Sequence, residues 1–244
     1  MSPYLNEPFE SPTKEVLRVL NLAWEDRKVL FFIALWPIAL PLIATVVSSL
    51  LISQTPDTSI AMIIGLLSAL VTIYALTLTE VRVYRFVALG EGRGAEQVAP
   101  LSLDPRLLTF TQYKLLLSLP SMIIPLVFGI SAETVLFMVA YHLLVLRLTF
   151  LFTAISLDTP PSFKNAWTQI APVFLQLLLV EFVFIGVVML CAMPLVSVFA
   201  IALGENALRA VLFIATPLRI IFTQLLAIVD MRFYGRAVLN NGRS

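Results

Sequence analysis

Four titratable residues fall inside strongly apolar stretches of this sequence: His142, Arg147, Glu181 and Arg219. If those stretches cross a bilayer, an ionised side chain at mid-depth costs on the order of 3 kcal/mol on insertion scales. Each therefore needs a partner, a wet cavity or a route to the interface. Glu181 and Arg219 are opposite in charge and come near the middle of two adjacent apolar runs. They are read as an intramembrane ion pair. That pair fits a lock holding two helices in register, or a proton or substrate site. The same spacing also allows an arrangement in which the two never meet. Arg147 is shallower, so its long stem can snorkel to lipid phosphates, pair with Asp158 beyond the helix end, or do both. His142, beside Tyr141, fits a hydrogen bond to a neighbouring helix. With no second histidine and no cysteine cluster it is a poor metal ligand, and neither metal nor cofactor is expected.

No sequence signature for catalysis is present. Gly-x-Ser-x-Gly, His-Glu-x-x-His and the phosphate-binding loop are all missing. Gly90-Glu91-Gly92-Arg93-Gly94 is glycine-rich, but it follows an apolar helix rather than a strand and reads as a turn. An intramembrane protease needs a Ser/His pair or two aspartates within spans; His142 lacks a serine partner and no span holds an aspartate. The chain is therefore expected not to be an enzyme.

The elements that must position these residues are membrane helices. Of the 244 residues 59% are apolar and 13% charged, against about 25% charged in ordinary soluble domains. The net charge of +1 gives no global attraction to nucleic acid. The single cysteine, Cys191, permits no intrachain disulfide. A span takes roughly 20 apolar residues. Six runs qualify: Val29–Ile52, Ile60–Leu78, Leu115–Ile130, Val135–Thr153, Pro172–Ala202 and Ala207–Val229. They do not alternate apolar with polar residues, which argues against a closed barrel. The gaps after the first, third and fifth runs are tight. The expected fold is thus all-α: a polytopic membrane protein of about six transmembrane helices arranged as three hairpins. Prolines recur in these runs (Pro37, Pro41, Pro120, Pro125, Pro172, Pro194, Pro217) and read as kinks, with a bend expected at Pro194.

Of the 16 Lys and Arg residues, all but Arg209 and Arg219 fall on one side of this arrangement. By the positive-inside rule both termini face the cytoplasm. Residues 1–28 are polar and mixed in charge, so no cleaved secretory signal is expected and the first span directs insertion.

An internal repeat runs through the chain. Glu80-x-Arg82-x-Tyr84, followed by Leu89 and Gly92-Arg93, closes the second span; Asp230-x-Arg232-x-Tyr234, followed by Leu239 and Gly242-Arg243, closes the sixth. Ala23-Trp24 precedes the first span and Ala166-Trp167 the fifth. Ser11-Pro12, Asp104-Pro105 and Pro161-Ser162 each supply a capping residue beside a proline at a helix start. After Ser11-Pro12, the residues Val16, Leu17, Leu20, Ala23 and Trp24 share one helical face, and Lys14, Glu15, Arg18 and Asn21 the other. That pattern suits a helix lying in the membrane interface with Trp24 at headgroup depth. Leu107–Tyr113 and Phe163–Ile170 read as shorter versions. One membrane domain, 1–244, is therefore expected to hold three units, 11–94, 104–158 and 160–243, each an interfacial helix followed by a hairpin. Arg82, Arg147, Arg232, Trp24 and Trp167 are the candidate contacts to lipid headgroups.

Leu146-Arg147-Leu148, then Ile155-Ser156-Leu157-Asp158, then Ser162-Phe163-Lys164-Asn165-Ala166-Trp167, resembles a pattern in a loose group of bacterial membrane proteins. The group includes the membrane domain of glycerophosphoryl diester phosphodiesterases and the YciC-type inner-membrane proteins. The resemblance covers residues 141–243 best. The Pro-Ala that often follows the Arg-Leu pair is replaced here by Phe152-Thr153-Ala154. It implies a bacterial inner-membrane module connected with lipid or envelope processes. No soluble phosphodiesterase domain is present, so that activity is not implied.

Two functions follow as expectations. One is a non-catalytic accessory or scaffold subunit, or a lipid-interacting module, with membrane lipids and a protein of a membrane complex as partners. The other is a small-molecule or lipid transporter using the Glu181/Arg219 site. The direction in which Glu181 points discriminates between them: a wet cavity favours transport, a dry contact with Arg219 favours structure.

Overall fold

The computed structural model describes residues 9–55, 57–91, 105–129, 131–203 and 207–239. Arg93, Asp104, Arg243 and the Leu203–Asn206 turn beyond Leu203 lie outside them. Among the described residues the chain is all-helical. It forms α1 (Pro12–Glu25), α2 (Arg27–Gln54), α3 (Thr58–Leu89), α4 (Pro105–Phe128), α5 (Ala132–Arg147), α6 (Thr149–Ser156), α7 (Phe163–Ile170), α8 (Phe174–Leu203) and α9 (Ala207–Tyr234), ending in a π-helical turn at Gly235–Leu239. Three helical stretches are long and apolar enough to cross a membrane: Arg27–Gln54, Thr58–Leu89 and Ala132–Ser156. A fourth qualifies if α7 and α8, bent by 81° from one another, count as one broken span.

Local chemistry sets most boundaries. Ser11 caps α1 by accepting from the Lys14 amide, and Pro12 occupies the first turn, where its missing N–H costs nothing. Glu10 holds the same end: Lys14 Nζ donates to it at 2.7 Å, which keeps its carboxyl below the usual carboxylate range. Ser162 caps α7 in the same way through the Asn165 amide. Gly90 ends α3 in the left-handed region (φ 74°), where its amide bonds to Phe86 O. One expectation is corrected. The second unit has no separate interfacial helix, because α4 runs unbroken from Pro105 to Phe128. The fourth span is retained as one stretch, Ala132–Ser156, with a turn at Leu148 (φ −99°, ψ 4°) where α5 gives way to α6.

Burial is concentrated at one end of the bundle. The buried apolar residues lie in the first half of α2, α4 and α8 (Leu30, Ile33, Phe110, Val180) and the last half of α3 and α9 (Phe86, Val87, Ile228, Phe233). α6 supplies Phe150 and Leu151 to the same core. α3 packs on α2, α4 and α9, while α8 packs on α9 and α1. Toward the other end Ile43, Leu50, Ile63 and Leu67 stand exposed. An apolar surface on this scale is compatible with an integral membrane protein and incompatible with ordinary solubility.

Candidate functional site

A cavity of about 490 Å³ opens between α3, α4, α5, α8 and α9. Three carboxylates line it, Glu80, Glu181 and Asp230, together with Lys114, Tyr84 and His142. Helical spacing explains the convergence. On α9, Thr223, Ala227 and Asp230 recur at i, i+4 and i+7 and so share one stripe. Glu80 and Tyr84 do the same on α3.

These groups differ in what they already bind. Lys114 Nζ donates to Glu80 in an ion pair across α4 and α3. Tyr84 Oη donates to Asp230 Oδ2 at 2.9 Å, joining the two copies of the repeated Glu/Asp-x-Arg-x-Tyr motif. Asp230 Oδ1 is buried with no hydrogen bond. Glu181 is only 7% exposed, and among the described residues it has no hydrogen-bond or ion-pair partner.

Four of the cavity's hydroxyls, besides that of Tyr84, spend their protons within the protein. Ser118 donates to Leu115 O, Ser121 to Ser118 O, Thr223 to Arg219 O and Tyr141 to Leu117 O. What they leave toward the space is lone pairs. The cavity is therefore rich in acceptors, with Lys114 tied to Glu80 and His142 at the rim as its nitrogen donors. Among the described residues no three His, Cys, Asp or Glu groups gather closely enough to hold a metal ion. The chemistry that complements this arrangement is an organic cation with N–H donors.

The residues singled out from sequence are placed differently from one another. Glu181 does not meet Arg219, which is exposed on α9. The reason is register. Phe184 of α8 packs on Phe222 of α9; Glu181 lies three residues to one side of that contact and Arg219 three to the other, a mismatch of about 9 Å at 1.5 Å per residue.

Arg232 is not a headgroup contact either. It is 1% exposed and pairs with Glu15 on α1, whose other oxygen accepts from Arg236 Nη2 at 3.0 Å. The buried face of α1 is thus Glu15, Val16 and Val19, while Leu17, Leu20 and Trp24 face outward. Arg147 does not pair with Asp158. Its guanidinium stacks 4.0 Å over Trp167 and 5.5 Å from Phe174. Asp158 instead accepts from Arg106 Nε at 2.6 Å and Arg85 Nη1 at 3.2 Å. Arg82 is half-buried on α3, and Trp24 is exposed with the Arg27 guanidinium 4.8 Å from its ring. Glu80, Tyr84 and Asp230, which the sequence shows only as repeat positions, are cavity residues that the sequence alone does not single out as a site. Lys114 was counted there only toward charge bias. The signal that could have found the acids is the repeat itself, which sets an acid one helical turn before a tyrosine twice.

No protein-family model, no curated protein and no solved structure matches this chain.

Proposed function

We propose that this chain is a non-catalytic integral membrane protein that binds a small organic cation bearing N–H donors, as the first step of moving it within or across the bilayer. One observation carries the reading. Glu181 is buried, has no hydrogen-bond or ion-pair partner among the described residues, and lines a cavity that it shares with Glu80 and Asp230. A carboxylate there is costly unless a donor meets it, and a cation bearing N–H groups is a ligand that supplies one. Asp230 and Glu80, and not Arg219, share the site with Glu181, so the cation that Arg219 was expected to supply must come from the ligand.

The reading includes the membrane layout. Six spans are formed by α2, α3, α4, the α5–α6 pair, α8 and α9, with α1 and α7 at the interface and both termini cytoplasmic. The cavity then opens in the cytoplasmic half. The membrane is the bacterial inner membrane, in keeping with the charge bias and the resemblance of residues 141–243. The accessory-subunit reading retains one supporting observation, the outward stripe of Leu17, Leu20 and Trp24, which fits either lipid or a partner protein.

The test uses the full chain in nanodiscs, with thermal unfolding followed in the presence of butylammonium, tetramethylammonium or acetate. A ligand at 100 times its Kd stabilises by about 2.7 kcal/mol. Butylammonium is expected to raise the unfolding temperature, with the other two inert and the apparent affinity at least about ten-fold weaker in Glu181→Gln. If all three ions act alike, or the variant responds as the wild type does, the reading fails.

A further inference from the structure

The acidic cavity does not end at Glu181. A second cavity of about 550 Å³ runs between α5 and α8, and Glu181, His142, Met138 and Leu146 line both spaces. Its other walls are apolar, among them Val139, Leu143, Leu178 and Ile185. It also opens outward: Val135, Val139 and Phe182 line it and are exposed, Phe182 at 75%. An acceptor-rich chamber and an apolar groove thus meet at one carboxylate and one imidazole.

We propose that the occupant of the two spaces together is a membrane lipid with a primary ammonium headgroup, its acyl chain lying in the α5/α8 groove. This inference rests on the amine-binding reading above and names its ligand class. A free amine fills the acidic chamber alone and gives the groove no role. A lipid chain needs a groove continuous with the bilayer, and the exposed residues of α5 and α8 provide that opening. Charge complementarity fixes the head. A primary ammonium carries three N–H donors for Glu181 and the other acceptors of the chamber, whereas a trimethylated one carries none. His142, which lines both spaces, carries a ring N–H that can donate to the phosphate linking such a head to its chains.

The test uses the wild-type chain in phosphatidylglycerol nanodiscs doped with a trace lipid carrying a photoreactive diazirine in mid-chain. That lipid is either phosphatidylethanolamine or phosphatidylcholine, which share the phosphate and the chains and differ in the N–H donors. After irradiation the adducts are mapped by mass spectrometry. Phosphatidylethanolamine is expected to label residues 135–146 and 178–185 at least ten times more than phosphatidylcholine. Equal labelling by the two lipids, or adducts spread over other helices, overturns the proposal, including the cases in which a partner protein or a second copy of the chain fills the groove. If butylammonium binds but the lipids are not distinguished, the lipid inference alone fails. If butylammonium does not bind either, the reading beneath it fails as well.

Discussion

Glu15 anchors more of this molecule than its place in the sequence indicates. It sits on an N-terminal amphipathic helix, on what a helical wheel marks as the polar face, yet both carboxylate oxygens are engaged by arginines from the far end of the chain. The side chains of Glu15 and Arg232 are 0% and 1% exposed. Removing one partner of such a pair leaves the other charged and buried, which typically costs about 3–5 kcal/mol. Glu15→Gln is therefore expected to lower the SDS midpoint for unfolding by a shift of that order, whereas Lys14→Gln, in an exposed pair with Glu10, is expected to change it by less than about 1 kcal/mol. Equal shifts in the two variants would show that the buried knot carries no special weight. The knot was not legible in the sequence. Periodicity reports which residues share a face, but not which face the rest of the protein covers, and here α8 and α9 cover the side that includes Glu15.

At the scale of elements, capping chemistry was legible and tertiary breaks were not. Ser11-Pro12 and Ser162 each mark a helix start that the structure places at the expected residue, because the signal is local: a hydroxyl, an amide three residues on and an amphipathic run. The break at Leu148 has no such signal. Neither glycine nor proline lies near it, and the sequence runs on as one apolar stretch. Phe150 and Leu151 are buried among the helices they meet, and packing of that kind overrides an unbroken pattern. Arg147, one residue before the break, lies over Trp167 on α7, so a side chain from α5 helps set the angle at which α7 departs from α8. A cation over an aromatic ring contributes about 0.5–1 kcal/mol at a partly exposed site, and a serine cap about 1 kcal/mol. Trp167→Ala is expected to destabilise the fold by about 1 kcal/mol or more, since packing is lost along with the stack, with Trp167→Phe recovering part of the loss. Ser162→Ala is expected to cost about as much as one cap. Both are read from the same SDS titration. A Phe variant as unstable as the Ala variant would rule out the stack as the source.

Among the described residues the molecule is packed at one end and exposes apolar side chains toward the other, and the charge bias assigns these ends to the two sides of the membrane in the proposed layout. The buried core, the Glu15–Arg232 knot and the Asp158 cluster with Arg85 and Arg106 all lie at the end where the loops carry basic residues. The opposite ends of α2 and α3 expose Leu50, Leu51 and Ile60 and meet at a turn without a Lys or Arg. Six spans with basic loops inside require Asp57 and Ser131 to face the periplasm, and Ser11 and Thr159 the cytoplasm. Any arrangement in which α4 or the α5–α6 pair fails to cross moves Thr159 or Ser131 to the wrong side. Single cysteines at these four positions, in a Cys191→Ser background, can be tested in intact cells with a membrane-impermeant maleimide. Positions 57 and 131 are expected to react, and positions 11 and 159 only after the membrane is opened. Reaction of both 11 and 159 from outside, with 57 and 131 silent, would invert the orientation while leaving the six spans and the acidic cavity intact. It would then place that cavity in the outer half of the bilayer, and an ammonium headgroup bound there would be drawn from the opposite leaflet.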